Sequence, residues 1–303
     1  MKTTGVRVKL SAGDRIYQNF VYVFVALFTI AVLYPLVYVV SCSFSSPSAL
    51  IAGKVFLFPV EFGFMGYEAV FKTTQVWYGY RNSIVYTAVG TVLSVMVNMA
   101  AAFPLTRKEF RARGAITWFY AITMFIGGAL IPSYLLVSRL GMMDSMWALI
   151  VPGLTSAWSI IIARTFIASS IPEELYEAAS SEGCDYFAYF LQIILPLSKA
   201  IMAVLALGYA TYMWNSYFSA LLYLKTPEKY PLQLILKNIL VSNIVDFTAM
   251  DKMTNIKDMM ERKYLSELLK YALIVVSSVP LMIFYPFIQK HFIKGVMVGS
   301  IKG

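Results

Sequence analysis

The chain has 303 residues, of which 59% are hydrophobic and only 14% are charged. Length alone would allow two soluble domains, but a soluble domain carries about 25% charged residues, so the composition indicates a polytopic membrane protein. The net charge of +9 does not point to nucleic acid, because no polar segment interleaves a basic patch with aromatic stacking side chains. We therefore expect an all-α membrane protein with no nucleic-acid partner.

Six apolar stretches are each long enough to cross a bilayer as a helix of about 20 residues. They are roughly Phe20–Ser43, Ser83–Leu105, Ala115–Val137, Trp147–Phe166, Leu195–Tyr217 and Leu269–Phe292. The first follows a basic start, as a signal peptide does, but its apolar run of about 24 residues favours an uncleaved helix. Lipoprotein processing at Cys42, after a weak lipobox, is the minor alternative.

Basic residues set the predicted topology. Four of them crowd the short loop between the second and third stretches: Arg107, Lys108, Arg111 and Arg113. Cytoplasmic loops carry an excess of Lys and Arg, so this loop is predicted to be cytoplasmic, and six spans then place both termini inside. The connection over 218–268 is predicted outside although it is rich in basic residues, because it is long and also acidic. The predicted regions are a cytoplasmic segment over 1–19, a membrane domain over 20–292 and a cytoplasmic tail over 293–303.

Two local features predict further details of the spans. Gly127, Gly128 and Pro132 predict a bend or local unwinding in the middle of the third span. Cys42 and Cys184 are predicted on opposite sides of a hydrocarbon layer about 30 Å thick, so both thiols are expected to be free.

The segment around Glu177–Pro196 predicts a helix, a tight turn and a second helix. Ser170 and Glu173 have the spacing of a capping box at the start of the first helix. Gly183 supplies the left-handed position that ends that helix. The first helix places four residues on one face: Leu175, Ala178, Ala179 and Glu182. The second helix carries an apolar stripe: Phe187, Phe190, Leu191 and Ile194.

This segment resembles the EAA loop of ABC importer permeases, where a membrane subunit docks a separate ATPase. The matching positions are Glu177, Ala178, Ala179, Gly183, Leu195 and Pro196. The resemblance implies a cytoplasmic coupling loop over 167–194, with these residues in contact with the ATPase or at the turn. Many relatives carry a basic or aliphatic residue where this chain has Ser180–Glu182. The alternative is an ordinary amphipathic hairpin at the membrane surface.

The spans lack the groups of other transporter and enzyme classes. Their cores hold essentially no charged residue, which disfavours an ion-coupled carrier. The chain has one histidine, His291, and no H-E-x-x-H, G-x-S-x-G or Walker A sequence, which disfavours a metal site or an enzyme. Energy from ATP would therefore enter through another chain.

Neutral polar and aromatic residues inside the spans indicate a pathway for sugar. Rings combined with amide and hydroxyl groups suit the apolar faces and hydroxyl edges of a sugar. The predicted lining residues are Trp214, Asn215, Tyr217, Asn98, Gly127 and Gly128. The alternative is an aromatic anchor at the membrane interface with a satisfied asparagine.

Four further segments resemble carbohydrate ABC importer permeases related to the second maltose permease. They are Phe44–Pro47, Gly127–Tyr134, Trp214–Asn215 and the tail from Tyr285 to Gly303. The resemblance is nearest to importers of oligosaccharides from plant or algal polysaccharides. It implies the type I ABC importer fold, with six transmembrane helices and a cytoplasmic coupling helix. A peptide importer of the same fold is the alternative.

The resemblance also implies the partners of the chain. These are a second permease forming a heterodimer, two ABC ATPase subunits, an extracellular solute-binding protein, the oligosaccharide and the lipid bilayer. ATP and Mg²⁺ would be bound by the partner ATPase, with no cofactor on this chain, which is expected to be no enzyme itself. The expected location is a bacterial cell membrane. Closure of the ATPases on ATP is expected to switch the cavity from inward-facing to outward-facing.

Overall fold

The computed structural model describes residues 11–245, 267–283 and 285–286. These residues form helices and connecting turns, with no strand among them, as the composition predicted. The chain divides into two units, Met1–Val70 with Met250–Val275 and Phe71–Ala249 with Val276–Gly303. The start of the predicted N-terminal segment, part of the 218–268 connection and the 293–303 tail lie outside the described residues.

The first unit is dominated by one long apolar helix, α1, over Ala12–Ser43. Ser11 and Asp14 form a capping box at its start, with Ser11 Oγ accepting from Asp14 N at 3.2 Å and Ser11 N donating to Asp14 Oδ2 at 3.0 Å. Its most apolar window has a mean hydropathy of 2.5 and no buried residue. A helix that is apolar on all sides and exposed within its chain is typical of a membrane span.

Short helices follow in the first unit, α2 over Pro47–Ile51 and α3 over Met65–Lys72. A small core forms around Cys42, whose thiol is free, as is that of Cys184 in the second unit. A Cβ on Gly66 would lie 3.0 Å from the Leu268 side chain, so the missing side chain allows this close helix contact.

The second unit is a bundle of α-helices joined by short turns. In chain order they are α4 Thr74–Ala102, α5 Arg113–Thr123, α6 Leu130–Arg139, α7 Trp147–Ile150, α8 Ala157–Ser170, α9 Glu174–Ser181, α10 Tyr186–Tyr189, α11 Leu195–Leu197, α12 Lys199–Trp214, α13 Tyr217–Tyr223 and α14 Leu232–Val245. Turns of 3₁₀-helix occupy Pro104–Thr106, Val151–Gly153 and Pro227–Lys229. A π-helical turn covers Phe190–Ile194. Residues 267–283 and 285–286 are also helical, and of these 267–275 belong to the first unit.

Helix α4 packs closely against α12 and α14 because glycines remove side chains at the contacts. A Cβ on Gly79 would lie 2.6 Å from Ile235 Cδ1 of α14. A Cβ on Gly90 would lie 3.0 Å from the sulfur of Met213 in α12. Small residues at such positions let helix backbones approach within a membrane.

Several predicted spans are interrupted. Among the described residues, two helices are long and apolar enough to cross a membrane, Gly13–Ser43 and Thr74–Thr106. The pairs Trp147–Gly153 with Ala157–Ser170 and Tyr186–Leu197 with Lys199–Trp214, bent by 54° and 81°, raise this to four if each pair is one span. The predicted third span is divided into α5 and α6 by a non-helical stretch that contains Gly127 and Gly128, as these glycines predicted.

A single aspartate holds the short turn between α6 and α7 in place through several polar contacts. Asp144, at φ 56°, accepts hydrogen bonds from the backbone N–H groups of Lys225 and Thr226, both at 2.9 Å. It also forms an ion pair of 2.7 Å with Lys229, and the hydrogen bond from this lysine holds the pKa of Asp144 well below its usual range.

Candidate functional site

The predicted hairpin consists of α9, a glycine turn and α10, and residues 174–189 are called the EAA hairpin below. The N–H of Gly183 donates to the carbonyl of Ser180 at 3.0 Å, and that of Cys184 to Ala179 at 2.9 Å. This pair of bonds is a Schellman motif, which needs a left-handed residue, and Gly183 has φ 81°. Asp185 then caps α10 by accepting from the N–H of Ala188 at 2.6 Å. The predicted turn is confirmed.

The EAA hairpin exposes the residues that the motif singles out. Glu177 and Ala178 are exposed on α9, whereas Tyr176 and Ala179 face the core and are half-buried. The predicted face is therefore divided, because Ala179 packs inward while Leu175, Ala178 and Glu182 stay exposed. An exposed acid beside a small residue leaves the outer side of α9 open to close approach by another surface.

The predicted capping box at the start of α9 is wrong. Ser170 is the last residue of α8, and no side chain caps α9. Glu173 instead forms an ion pair of 2.5 Å with Lys108, in the loop after α4. This hydrogen bond lowers the pKa of Glu173 and raises that of Lys108. Glu173 therefore pairs with a residue that is distant in the chain, and it does not form the predicted capping box with Ser170.

Aromatic side chains join the two arms of the EAA hairpin. The rings of Tyr176 and Tyr186 stack with centroids 5.4 Å apart, and Tyr189 meets Tyr176 edge-on at 5.2 Å. Hydrogen bonding with Tyr186, assisted by desolvation, raises the pKa of Tyr176 to about 12. None of these three tyrosines stood out in the sequence, because aromatic residues are common throughout the chain.

Leu195 and Pro196 lie beyond the π-helical turn, in the short helix α11. Leu195 packs against the core that also holds Ile194, whereas Pro196 is exposed. The chain bends by 81° between this helix and α12. The motif residues thus divide between the hairpin and the bend that leads into α12. Of the predicted apolar stripe, Phe190 and Ile194 in the π-helical turn are buried, whereas Phe187 is 70% exposed and Leu191 is 40% exposed.

Asn98, predicted to line the pathway, is fully buried in α4. Its Nδ2 donates to the carbonyls of Ser94 at 2.6 Å and Leu154 at 2.9 Å. Its Oδ1 accepts from the N–H of Ser156 at 3.2 Å. The bonds to Leu154 and Ser156 satisfy backbone groups at the break between α7 and α8, so in this conformation Asn98 stabilises the bend between these two helices.

Three of the predicted lining residues, Trp214, Asn215 and Tyr217, lie where α12 ends and α13 begins, and only the first is buried. Trp214 is 2% exposed, its Nε1 donates to the carbonyl of Ser277 at 3.1 Å, and its ring helps to line an apolar cavity of about 280 Å³. Asn215 is exposed and donates to the carbonyl of Thr211 at 2.9 Å. Tyr217 begins α13 and is exposed. Their assignment to the pathway stays a prediction.

Gly127 and Gly128 occupy the non-helical break before α6 and are exposed within the chain. A Cβ on Gly127 would meet no atom within 4 Å, and one on Gly128 would lie 3.7 Å from Ser133 Oγ. The break therefore leaves open space beside these residues. Their place in the pathway also stays a prediction.

A second cavity, of about 560 Å³, lies beside the bend between α7 and α8 and was not predicted from the sequence. Exposed rings of Trp158 and Tyr212 line it, together with the hydroxyl-bearing residues Thr155, Ser156 and Ser159. The rings come from α8 and α12, which are far apart in the chain, so no local spacing brings them together.

Helical architecture, interrupted apolar spans and an exposed EAA hairpin define the class of ABC transporter permeases. No protein-family model matches the chain. The chain is 33% identical over 290 residues to the polygalacturonan/rhamnogalacturonan transport system permease protein YtcP of Bacillus subtilis, covering 96% of this chain and 99% of the relative. It is 36% identical over 269 residues to Protein LplC of the same organism, covering 89% of each.

A solved structure agrees with these relatives. A chain of a bacterial ABC transporter involved in the import of the acidic polysaccharide alginate matches with a TM-score of 0.83 and 31% identity. The match covers 94% of this chain and 99% of that one. The chain belongs to the carbohydrate ABC transporter permeases.

Proposed function

We propose that the chain is one of two permease subunits of an ATP-driven importer that moves an oligosaccharide across a bacterial cell membrane. The observation that carries this proposal is the EAA hairpin, whose exposed Glu177 and Ala178 stand beside a Schellman turn at Gly183. In the proposed complex this surface docks a separate ATPase, which binds ATP and Mg²⁺. This chain supplies the membrane path and no catalytic group.

The proposed topology has six spans and a cytoplasmic EAA hairpin. The spans are α1, α4, the divided pair α5 and α6, the bent pair α7 and α8, the bent segment ending in α12, and the helix that contains 267–283. The ion pair between Lys108 and Glu173 supports this arrangement, because it joins the basic loop, predicted inside, to the start of the hairpin. Both termini then lie in the cytoplasm, with the membrane domain over 20–292, the coupling loop over 167–194, and end segments over 1–19 and 293–303.

The partners are a second permease, two ATPase subunits and an extracellular solute-binding protein. The exposed apolar surface of α1 supports a lipid or permease neighbour, because such a helix is unstable in water. ATP-driven closure of the two ATPases would displace the EAA hairpin and change which side of the membrane the cavity faces. For ATP to drive this change, the free energy of docking between the ATPase and the EAA hairpin must differ between the inward-facing and outward-facing states.

The proposed substrate class is an oligosaccharide, and uronic-acid chains are the first to test. YtcP is a permease for polygalacturonan or rhamnogalacturonan, and the matching structure belongs to an importer of the acidic polysaccharide alginate. These names favour sugar over the peptide alternative. The 560 Å³ cavity supports a sugar path, since Trp158 and Tyr212 present exposed rings beside hydroxyl-bearing residues.

Purification and reconstitution test this function together. The chain is affinity-tagged in its source organism, purified in detergent and placed in liposomes that contain ATP and Mg²⁺. We expect an ATPase to co-purify and radiolabelled oligogalacturonides, added outside with the binding protein, to enter only when ATP is present. Galacto-oligosaccharides and a tripeptide serve as comparison substrates. Purification without an ATPase, or uptake independent of ATP, would contradict the proposal.

A further inference from the structure

Arg107 lies in the loop after α4 and is enclosed by three aromatic rings. Its guanidinium carbon is 4.9 Å from the ring centroid of Tyr176, 5.5 Å from that of Phe103 and 6.0 Å from that of Tyr189. These rings come from α9, from the residue that caps α4, and from α10. Arg107 is only 8% exposed, although it stands in a loop where its neighbour Lys108 has a 70% exposed side chain.

The rings are the principal partners of this guanidinium among the described residues. Its Nη1 is buried without a hydrogen-bond partner, and its Nε is 3.4 Å from the hydroxyl of Thr106, a long contact. A guanidinium is planar and weakly hydrated, so it stacks on aromatic faces where an ammonium group stays in water. Such a contact is strongest when water is excluded, as at this buried position.

The same loop is fastened to neighbouring helices by other bonds. Lys108 forms the ion pair with Glu173 ahead of α9, and Arg164 Nε of α8 donates to the carbonyl of Leu105 at 3.0 Å. The ring of Phe103 also lies 5.7 Å from that of Phe190. The end of α4 is thus held against α8, the EAA hairpin and the helix that follows it.

We propose that Arg107 is a positioning residue that passes movement of the EAA hairpin to α4 through its stack on Tyr176. This inference rests on the proposed function, in which an ATPase displaces the hairpin. Because Tyr176 belongs to α9 and Phe103 to the end of α4, a guanidinium between them makes the two elements move together. Helix α4 then carries the displacement into the bundle, since it packs on α12 and α14 through Gly90 and Gly79.

The test measures how many oligosaccharide molecules enter per ATP hydrolysed in the reconstituted complex, using the oligogalacturonide that the wild type transports. Arg107→Lys keeps the charge and loses the planar stack, and is expected to lower this ratio about ten-fold. Tyr176→Leu is expected to give a similar loss, while Tyr176→Phe keeps the ring and the ratio. Arg111→Lys is the matched control, because it makes the same change at an exposed arginine of the same loop, and we expect it to leave the ratio within about two-fold.

The ratio separates coupling from folding. A purely structural role for Arg107 would reduce the amount of assembled complex, with uptake and hydrolysis falling together and their ratio unchanged in both Arg107→Lys and Tyr176→Leu. That result would overturn the assignment while leaving the importer function intact. If Arg107→Lys yields no complex, Tyr176→Leu alone decides. A wild-type complex without ATP-driven uptake would overturn the proposed function, and this assignment with it.

Discussion

The side-chain amide of Asn98 in α4 donates a 2.9 Å hydrogen bond to the carbonyl of Leu154, which lies in the break between α7 and α8. A bend of 54° leaves backbone groups without helical partners. Asn98 supplies both a donor and an acceptor, since its Oδ1 also receives the N–H of Ser156. A neutral side chain on one helix therefore makes the break in another helix tolerable.

Replacing Asn98 tests this role. Asn98→Leu keeps the approximate volume but leaves the part-buried Leu154 carbonyl and Ser156 N–H without this partner, and we expect a loss of about 2–4 kcal/mol in stability. Thermal unfolding of the purified protein in detergent measures it. Thr155→Ala, at an exposed neighbouring position, is the control for stability and is expected to change the melting temperature little. An unchanged melting temperature in Asn98→Leu, with uptake lost, would instead assign Asn98 to the sugar pathway.

Glu177 tests the docking surface. Glu177→Lys reverses an exposed charge on α9, so the fold is expected to be retained while ATPase co-purification and uptake fall at least about ten-fold. Glu174→Lys, also exposed on the same helix, is the matched control for charge alone. Pull-down of the ATPase from solubilised membranes gives the readout. Full docking and uptake by Glu177→Lys would remove this residue from the interface.

Trp214 separates a packing role from a transport role. Because Trp214 is 2% exposed and bonds to Ser277, Trp214→Ala is expected to cost about 3–5 kcal/mol of stability, and Trp214→Phe about 1 kcal/mol. Tyr212→Ala, at a 52% exposed ring in the second cavity, is expected to spare stability and reduce uptake. Melting temperature and uptake per assembled complex are measured together. Reduced uptake with normal stability and ATP hydrolysis in Trp214→Phe would place Trp214 in the pathway.

Gly79 and Gly127 form a contrasting pair. A Cβ on Gly79 would lie 3.0 Å from the Leu232 backbone as well as against Ile235, so Gly79→Ala is expected to destabilise by about 1–3 kcal/mol. A Cβ on Gly127 would meet nothing within 4 Å, so Gly127→Ala is expected to leave stability unchanged or slightly raised. If Gly127 lines the pathway or must flex, uptake falls while the melting temperature holds. Equal stability of both variants would contradict the close packing of α4 on α14.

Asp144 predicts a pH profile. The pKa of this carboxyl is lowered in the folded protein, so its stabilisation is present above the unfolded value of about 3.9 and is lost only as pH falls through the folded value. Asp144→Asn keeps acceptors for Lys225 and Thr226 but removes the charge facing Lys229, at a cost of about 1 kcal/mol. The difference in melting temperature from wild type is expected to be the same at pH 8 and pH 5 and to shrink as pH falls from 5 to about 3, where the unfolded carboxyl takes up its proton and the folded one does not. A difference that stays unchanged down to about pH 3 would show that folding does not lower this pKa.

The sequence by itself determined the elements whose causes are local. Apolar runs indicated spans, the glycines at 127 and 128 indicated a break, and Gly183 indicated the turn of the EAA hairpin, because backbone freedom and hydrophobic periodicity act over a few residues. The motif at Glu177 was sufficient to indicate the family. In each case the residue and its physical effect are neighbours in the chain.

Only the tertiary structure decided which polar and aromatic side chains serve which partner. Glu173 forms an ion pair with Lys108 and does not cap a helix. Asn98 donates a hydrogen bond to Leu154. Arg107, which the sequence showed only as a basic residue of a loop, packs among aromatic rings. These partners come from separate helices, so their pairing depends on how the bundle packs. A buried polar group takes a partner that the packing brings within reach, because leaving it without one is costly, and the Arg107 guanidinium finds aromatic rings where its Nη1 has no hydrogen-bond partner.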